Sequence, residues 1–127
     1  MSTFETCLGI DFGTKRIGLA VSQNGLITPL PHLNSGPLIL VRIAEIIKQY
    51  EVAKVYVGLS TGPIRRLQLD FVSKLSVMLK LSVETVDETA STIEAQALLI
   101  TNRHSKKSHG RLIDSVSAAL ILERVIC

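Results

Sequence analysis

Three carboxylates stand where the 127-residue sequence makes a carboxylate conspicuous: Asp11, Glu88 and Asp114. Asp11 interrupts the apolar run in "LGIDFGTKRIGLAVSQ", residues 8–23. A charge inside a sheet is expensive unless something pairs with it. Glu88 closes the strand-like segment "SVETVDE", which ends in two acids, and Asp114 opens the small-residue stretch "DSVSAAL". Brought together, three carboxylates cannot all stay ionised without a counter-charge. Mg²⁺, or Mn²⁺ in its place, is the natural one: it takes hard oxygen ligands, binds weakly without substrate and bridges to phosphates. Two such ions about 4 Å apart activate a water and stabilise the leaving oxygen of a phosphodiester. Singly, each acid has an ordinary role. Asp-Phe-Gly is good turn chemistry, Glu88 could be solvated beyond a strand, and an acid in a helix's first turn suits the helix dipole. Only their convergence on one site points to chemistry. Asp87 reads as a structural neighbour rather than a ligand.

The elements that must position these acids follow from periodicity. Residues 5–11 form a first strand, central in the sheet, with Asp11 near its C-terminal end. After the turn "FGTK", Ile17, Leu19 and Val21 alternate with Gly18, Ala20 and Ser22, a strand whose second face admits close packing. Asn24-Gly25 marks a hairpin into a third strand near Leu26–Leu30, which Pro29 and Pro31 push to an edge. Ser35-Gly36-Pro37 opens a helix with the stripe Ile39, Ile43, Ile46, Ile47 and Tyr50. The alternation in "AKVYVGLS" is a fourth strand. A second helix begins at about Pro63 with the stripe Ile64, Leu67, Phe71, Leu75 and Met78. "SVETVDE" is the fifth strand. Ser91 and Glu94 have capping-box spacing for a third helix, and a last helix runs from about Leu112 to Val125. On that helix Asp114, Ala118, Ile121 and Val125 share a face. The order predicts an α/β fold: a five-stranded mixed sheet, antiparallel at the start and parallel later, with helices on both faces. The parallel strands put Asp11 and Glu88 on the edge where open α/β sheets place ligands.

The length suits one domain over residues 1–127. Hydrophobic residues make up 46% and aromatics 4% with no Trp, so the core must be aliphatic. The net charge of +3 permits a polyanionic partner without requiring one. Two cysteines build no disulfide framework, and the three histidines have no zinc-ligand spacing with them. "PLILVRIAEII" is too short and too charged to span a bilayer. A cytoplasmic protein with no membrane partner is the expectation.

"GIDFGTKRIGLAVS", "VDETASTIEA" and "RLIDSVSAALILE" resemble the YqgF family over nearly the whole chain, in motif order and spacing. These are small bacterial RNase H-like proteins described as Holliday junction resolvases and as nucleases maturing the 5′ end of pre-16S rRNA. The resemblance implies an RNase H-like fold, and it aligns Asp11, Glu88 and Asp114 with the family's three acidic positions. Two departures lie near the implied site. The family's Asp-Glu-Arg is here Asp87-Glu88-Thr89, which removes a guanidinium. "GLSTGPIRRL" also shortens the loop after Leu59. Arg65 and Arg66 are the candidates to restore the charge.

The segment "RHSKKSHGR" carries Arg103, Lys106, Lys107 and Arg111 and no acid, and it precedes the helix of Asp114. It reads either as a solvated helix end or as a phosphate clamp beside the acidic edge. Lys15 and Arg16 in the first turn form a second small patch. No aromatic platform for stacking single-stranded bases is visible, so structured RNA or branched DNA is the favoured ligand. Three alternatives to a pre-16S rRNA nuclease stay open: a junction resolvase, a binding factor in ribosome assembly that cleaves little, and an actin-like ATP-binding phosphotransferase. The last shares Asp-x-Gly-Thr but needs two domains, and a Walker A motif is absent. The sequence leaves monomer and dimer both open.

Overall fold

The structure, a computed structural model, describes residues 5–88 and 106–126, with the side chains of the last helix from Ser115 to Val125. The elements run β1(Cys7–Phe12), β2(Arg16–Gln23), β3(Leu26–Asn34), α1(Ile39–Tyr50), β4(Lys54–Leu59), α2(Ile64–Met78), β5(Ser82–Asp87) and α3(Lys106–Ile126). The helix expected from Ser91 and Glu94 lies outside the described residues, as do Thr89 and Arg103.

One mixed sheet has the order β3-β2-β1-β4-β5, so β1 is central. β1 and β2 are antiparallel, as are β2 and β3; β1, β4 and β5 are parallel. Asn24 and Gly25 both take positive φ, 52° and 84°, at the hairpin between β2 and β3. β3 is an edge strand, as its prolines require, and it extends to Asn34 rather than stopping near Leu30. Pro31 falls in a register shift: Ile17 pairs with Leu33, but Leu19 pairs with Leu30. A residue without an N–H costs least where the ladder is already interrupted.

Strand alternation divides the core into two layers. Leu8, Ile10, Ile17, Leu19, Val55 and Val57 meet Ile43 of α1 and Phe71 and Leu75 of α2 on one face. Cys7, Ala20 and Tyr56 meet Ala118, Ala119, Ile121 and Leu122 of α3 on the other. Helix α3 lies close because the strand beneath it has little bulk: a Cβ on Gly9 would sit 2.7 Å from the Ala118 carbonyl oxygen and 2.8 Å from Leu122.

Two expectations need correction. On α2, Phe71 and Leu75 are buried, but Leu67 is 48% and Met78 38% exposed, and Gln68 at 1% takes the inner position. The helix is rotated toward Gln68 because strand ends beneath it offer that amide hydrogen-bond partners. The last helix also begins at Lys106, six residues before Leu112, so the basic segment is helical from Lys106 onward. It contains no proline, and Gly110 costs a helix only about 1 kcal/mol.

Candidate active site

Asp11 occupies the fifth position of β1, opposite Gly18 of β2. Alternation with Cys7 and Gly9 places it on the α3 face, at the C-terminal end of the strand. On β5 the same alternation carries Glu84, Val86 and then Glu88 toward α3. The Glu88 N–H donates to the Leu59 carbonyl at 3.0 Å, which extends the β4–β5 ladder one residue past the strand. The backbone thereby fixes where the Glu88 side chain starts.

Gly58 decides where that side chain goes. A Cβ there would lie 2.5 Å from Ile121 Cδ1, 2.7 Å from Glu88 Oε1 and 2.9 Å from Glu88 Cδ. The missing side chain is the space into which the carboxyl folds, beneath Ile121. Glu88 Oε1 is buried there without a hydrogen-bond partner. Burial, with the nearby Asp11 charge adding to it, pushes the Glu88 carboxyl up from 4.5 to about 7, while Arg124 pulls the other way. A carboxyl whose proton affinity is raised by burial and a neighbouring carboxylate is relieved by holding its proton or by a hard cation. The all-oxygen donors and the unsatisfied Oε1 therefore fit a divalent ion. Among the described residues no group of three His, Cys, Asp or Glu side chains comes together. Asp114 lies on α3, four residues before buried Ala118, and its side chain is outside the described set.

Two polar side chains that the sequence reading passed over brace this edge. Gln68 donates to the Phe12 carbonyl at 3.2 Å and to Ser60 Oγ at 3.2 Å, and it accepts from the Ser60 N–H at 2.8 Å. It ties the end of β1, next to Asp11, to the end of β4. Ser115 Oγ accepts from the Leu19 N–H at 3.1 Å and donates to the Leu30 carbonyl. It bridges the backbone groups of Leu19 and Leu30 where the register shifts, and so pins α3 one residue from Asp114. Arg124, also passed over, is exposed near the end of α3, and its charge acts on Glu88. Gly58 had a readable signal, since glycine inside a strand marks close approach. Gln68 and Ser115 had only the weak signal of a polar residue beside an apolar stripe.

The cations are distributed unevenly. Lys15 and Arg16 are exposed on the turn after β1. That turn is closed by the Gly13 N–H on the Arg16 carbonyl at 3.1 Å and tied to Ser35, whose Oγ donates to the Gly13 carbonyl at 2.9 Å. Arg65 is held by Asp87 at 2.8 Å and reaches the Ser60 carbonyl at 3.5 Å; Asp87 is thus the structural neighbour its position suggested. Arg66 is exposed. Lys106, Lys107 and Arg111 lie on the first turns of α3, their side chains outside the described set.

The comparisons agree with this geometry. The family model for RuvX, described as Holliday junction resolvase, matches residues 5–127. A protein of Bacillus thuringiensis (strain Al Hakam) named "Putative pre-16S rRNA nuclease" is 36% identical over 128 residues, covering 91% of this chain and 93% of its own. A protein of the same name from Bacillus anthracis (strain CDC 684 / NRRL 3495) matches equally. Among solved structures, RuvC of T. thermophilus in complex with a Holliday junction substrate superposes with a TM-score of 0.61 at 17% identity, over 96% of each chain. The fowlpox virus Holliday junction resolvase gives 0.59 at 12% identity, over 95% of this chain and 96% of that one. Those two likenesses establish the RNase H-like fold of the resolvases. With the acidic strand ends in place, the family match across residues 5–127 and 36% identity to curated relatives settle the kinship: the chain belongs to the YqgF (RuvX) family of nucleases.

Proposed function

We propose that this protein, as a single domain over residues 1–127, hydrolyses phosphodiester bonds in structured nucleic acid, and that its substrate is the 5′ end of pre-16S rRNA. One observation carries the reading: a buried carboxylate oxygen of Glu88 with no hydrogen-bond partner, beside Asp11, at the C-terminal edge of the parallel strands. Asp11, Glu88 and Asp114 would hold Mg²⁺ or Mn²⁺. When bound, the ion supplies a water made nucleophilic at neutral pH and positive charge for the leaving oxygen. The chain's own contribution is placement. Gln68 fixes the strand end beside Asp11, Gly58 and Ile121 confine the Glu88 carboxyl, and Ser115 sets the height of α3. The exposed Lys15 and Arg16, with Arg66, Arg103, Lys106, Lys107 and Arg111, offer positive charge to a phosphate backbone. Contacts of that kind position a duplex without reading its sequence. Among the described residues no helix is long and apolar enough to cross a membrane.

The description of the matching family favours a second substrate, the four-way DNA junction. One experiment decides between them. A labelled rRNA precursor and a labelled junction are each incubated with Mg²⁺ or Mn²⁺ and with wild type, Asp11→Asn and Asp114→Asn. The expected result is cleavage of the precursor by wild type and a loss of at least about a hundredfold in both variants. Cleavage of the junction alone transfers the assignment to resolution. Binding of the precursor without cleavage of either substrate returns the protein to a binding factor in ribosome assembly. Full activity in Asp114→Asn removes that residue from the catalytic set.

A further inference from the structure

We propose that Arg124, near the C-terminal end of α3, is a phosphate-binding residue of the acidic edge, gripping a backbone phosphate of the nucleic acid beside Glu88. The inference rests on the nuclease reading for its substrate, but on separate observations for the residue. Ile121 Cδ1 and the Glu88 carboxyl lie against the same open spot over Gly58. Arg124 follows Ile121 by three residues, which on a helix places it on the same side, one turn further along. Val125 packs against the cluster that holds Ile121, as does Val86 of β5. The end of α3 is therefore anchored to the α3-facing core layer near the end of β5, with Arg124 exposed at its margin.

Its charge reaches Glu88, since it opposes the effect of burial there, yet Glu88 Oε1 has no hydrogen-bond partner. The guanidinium acts on this carboxyl through its charge, while Glu88 Oε1 takes no hydrogen bond. Among the described residues Arg65 is engaged by Asp87, whereas Arg124 forms no such ion pair. Among the described residues, the edge thus has one cation committed to the fold and a second, Arg124, that is exposed. A phosphodiester oxygen laid between Arg124 and the acidic pair would satisfy both: the guanidinium by direct hydrogen bonds, the carboxylates through the cation they hold. The competing role is structural, a cation in the last turn favoured by the helix dipole.

The test is fluorescence anisotropy of a labelled RNA hairpin with a 5′ single-stranded extension. It is run with EDTA present, over a salt series, on wild type, Arg124→Gln and Arg124→Lys, with thermal melting of each protein. Arg124→Gln should raise Kd about fivefold to tenfold at low salt and flatten the log–log salt slope by about 0.7–0.9. Arg124→Lys should recover the slope and only part of the affinity, because an ammonium lacks the planar fork. A wild-type Kd and slope in Arg124→Gln, with a lowered melting temperature, would assign the residue to the helix end and overturn the proposal. The two readings fail separately. If wild type cleaves neither substrate but Arg124→Gln loses binding as stated, the nuclease reading falls and the phosphate contact stands. If wild type cleaves and Arg124→Gln binds unchanged, only the contact falls. Should wild type bind no nucleic acid at low salt, both fall.

Discussion

Replacing Glu88 by Gln should stabilise the protein at alkaline pH while abolishing its activity, and the size of the effect follows from the site. The Glu88 carboxyl is pushed up from 4.5 to about 7, first by burial and then by Asp11. Between those two values the folded protein holds a proton that the unfolded chain has released. Folding therefore takes up a proton in this window, and stability falls as pH rises from about 4.5 to 7, then levels off. A displacement of this size corresponds to about 3 kcal/mol between the two protonation states. Glu88 is only partly buried, so solvent screening reduces this to about 1–2 kcal/mol. Gln has the same shape and no charge. At pH 8 Glu88→Gln should be more stable than wild type by that amount, and near pH 4.5 the difference should vanish. Melting temperatures of both proteins from pH 4.5 to 8.5 read this directly, with an expected gap of about 3–8 °C at the upper end for a chain of this size. Mg²⁺ added at pH 8 should narrow the gap by raising wild type alone, and EDTA should restore it. Melting curves that stay parallel across the range, or a wild type that gains stability relative to the variant as pH rises, would refute a buried, Asp11-coupled carboxyl.

Gly58→Ala drives a Cβ to 2.7 Å from Glu88 Oε1 and 2.5 Å from Ile121 Cδ1, so denaturant unfolding should show a loss of about 1–3 kcal/mol. Displacing the carboxyl by about 1 Å should also cost about a hundredfold in cleavage rate; full activity would show that the carboxyl's seat is not limiting. Ser115→Ala strands the Leu19 N–H and the Leu30 carbonyl and should cost about 1–3 kcal/mol in urea unfolding, with Ser115→Thr recovering part of it. The double variant Lys106→Ala/Lys107→Ala should flatten the salt slope of nucleic-acid binding by somewhat less than about 2, with melting unchanged within about 0.5 kcal/mol. An unchanged slope would return the start of α3 to ordinary solvation.

Where the five strands and the first two helices lie, and which two acids stand at the strand ends, was legible from residue order because those signals are local. Alternation of Ile17, Leu19 and Val21 against Gly18, Ala20 and Ser22 names a strand and its open face wherever the chain folds. Asn24-Gly25 specifies its own turn, and the prolines of β3 require an edge. Parallel order follows from helical crossovers, and with it the meeting of Asp11 and Glu88 at one edge. What stayed hidden depends on neighbours far apart in sequence. Gln68 turned inward, and Leu67 and Met78 outward, because the ends of β1 and β4 present the Phe12 carbonyl and the Ser60 N–H beneath α2. The inward turn of a polar residue cannot be read from a helical stripe that offers apolar alternatives on either side. Arg65 went to Asp87 through the β4–β5 register, which sets Asp87 opposite Leu59, shortly before the start of α2. The partnerless oxygen of Glu88 depends on α3 lying close over Gly9 and Gly58, where Ala118, Leu122 and Ile121 crowd the strands. Sequence by itself determined the five strands, their order of direction and the two acids, Asp11 and Glu88, at their ends. Tertiary packing decided how far Glu88 is buried and which charges act on it, because burial and charge coupling depend on distances that only the folded chain sets.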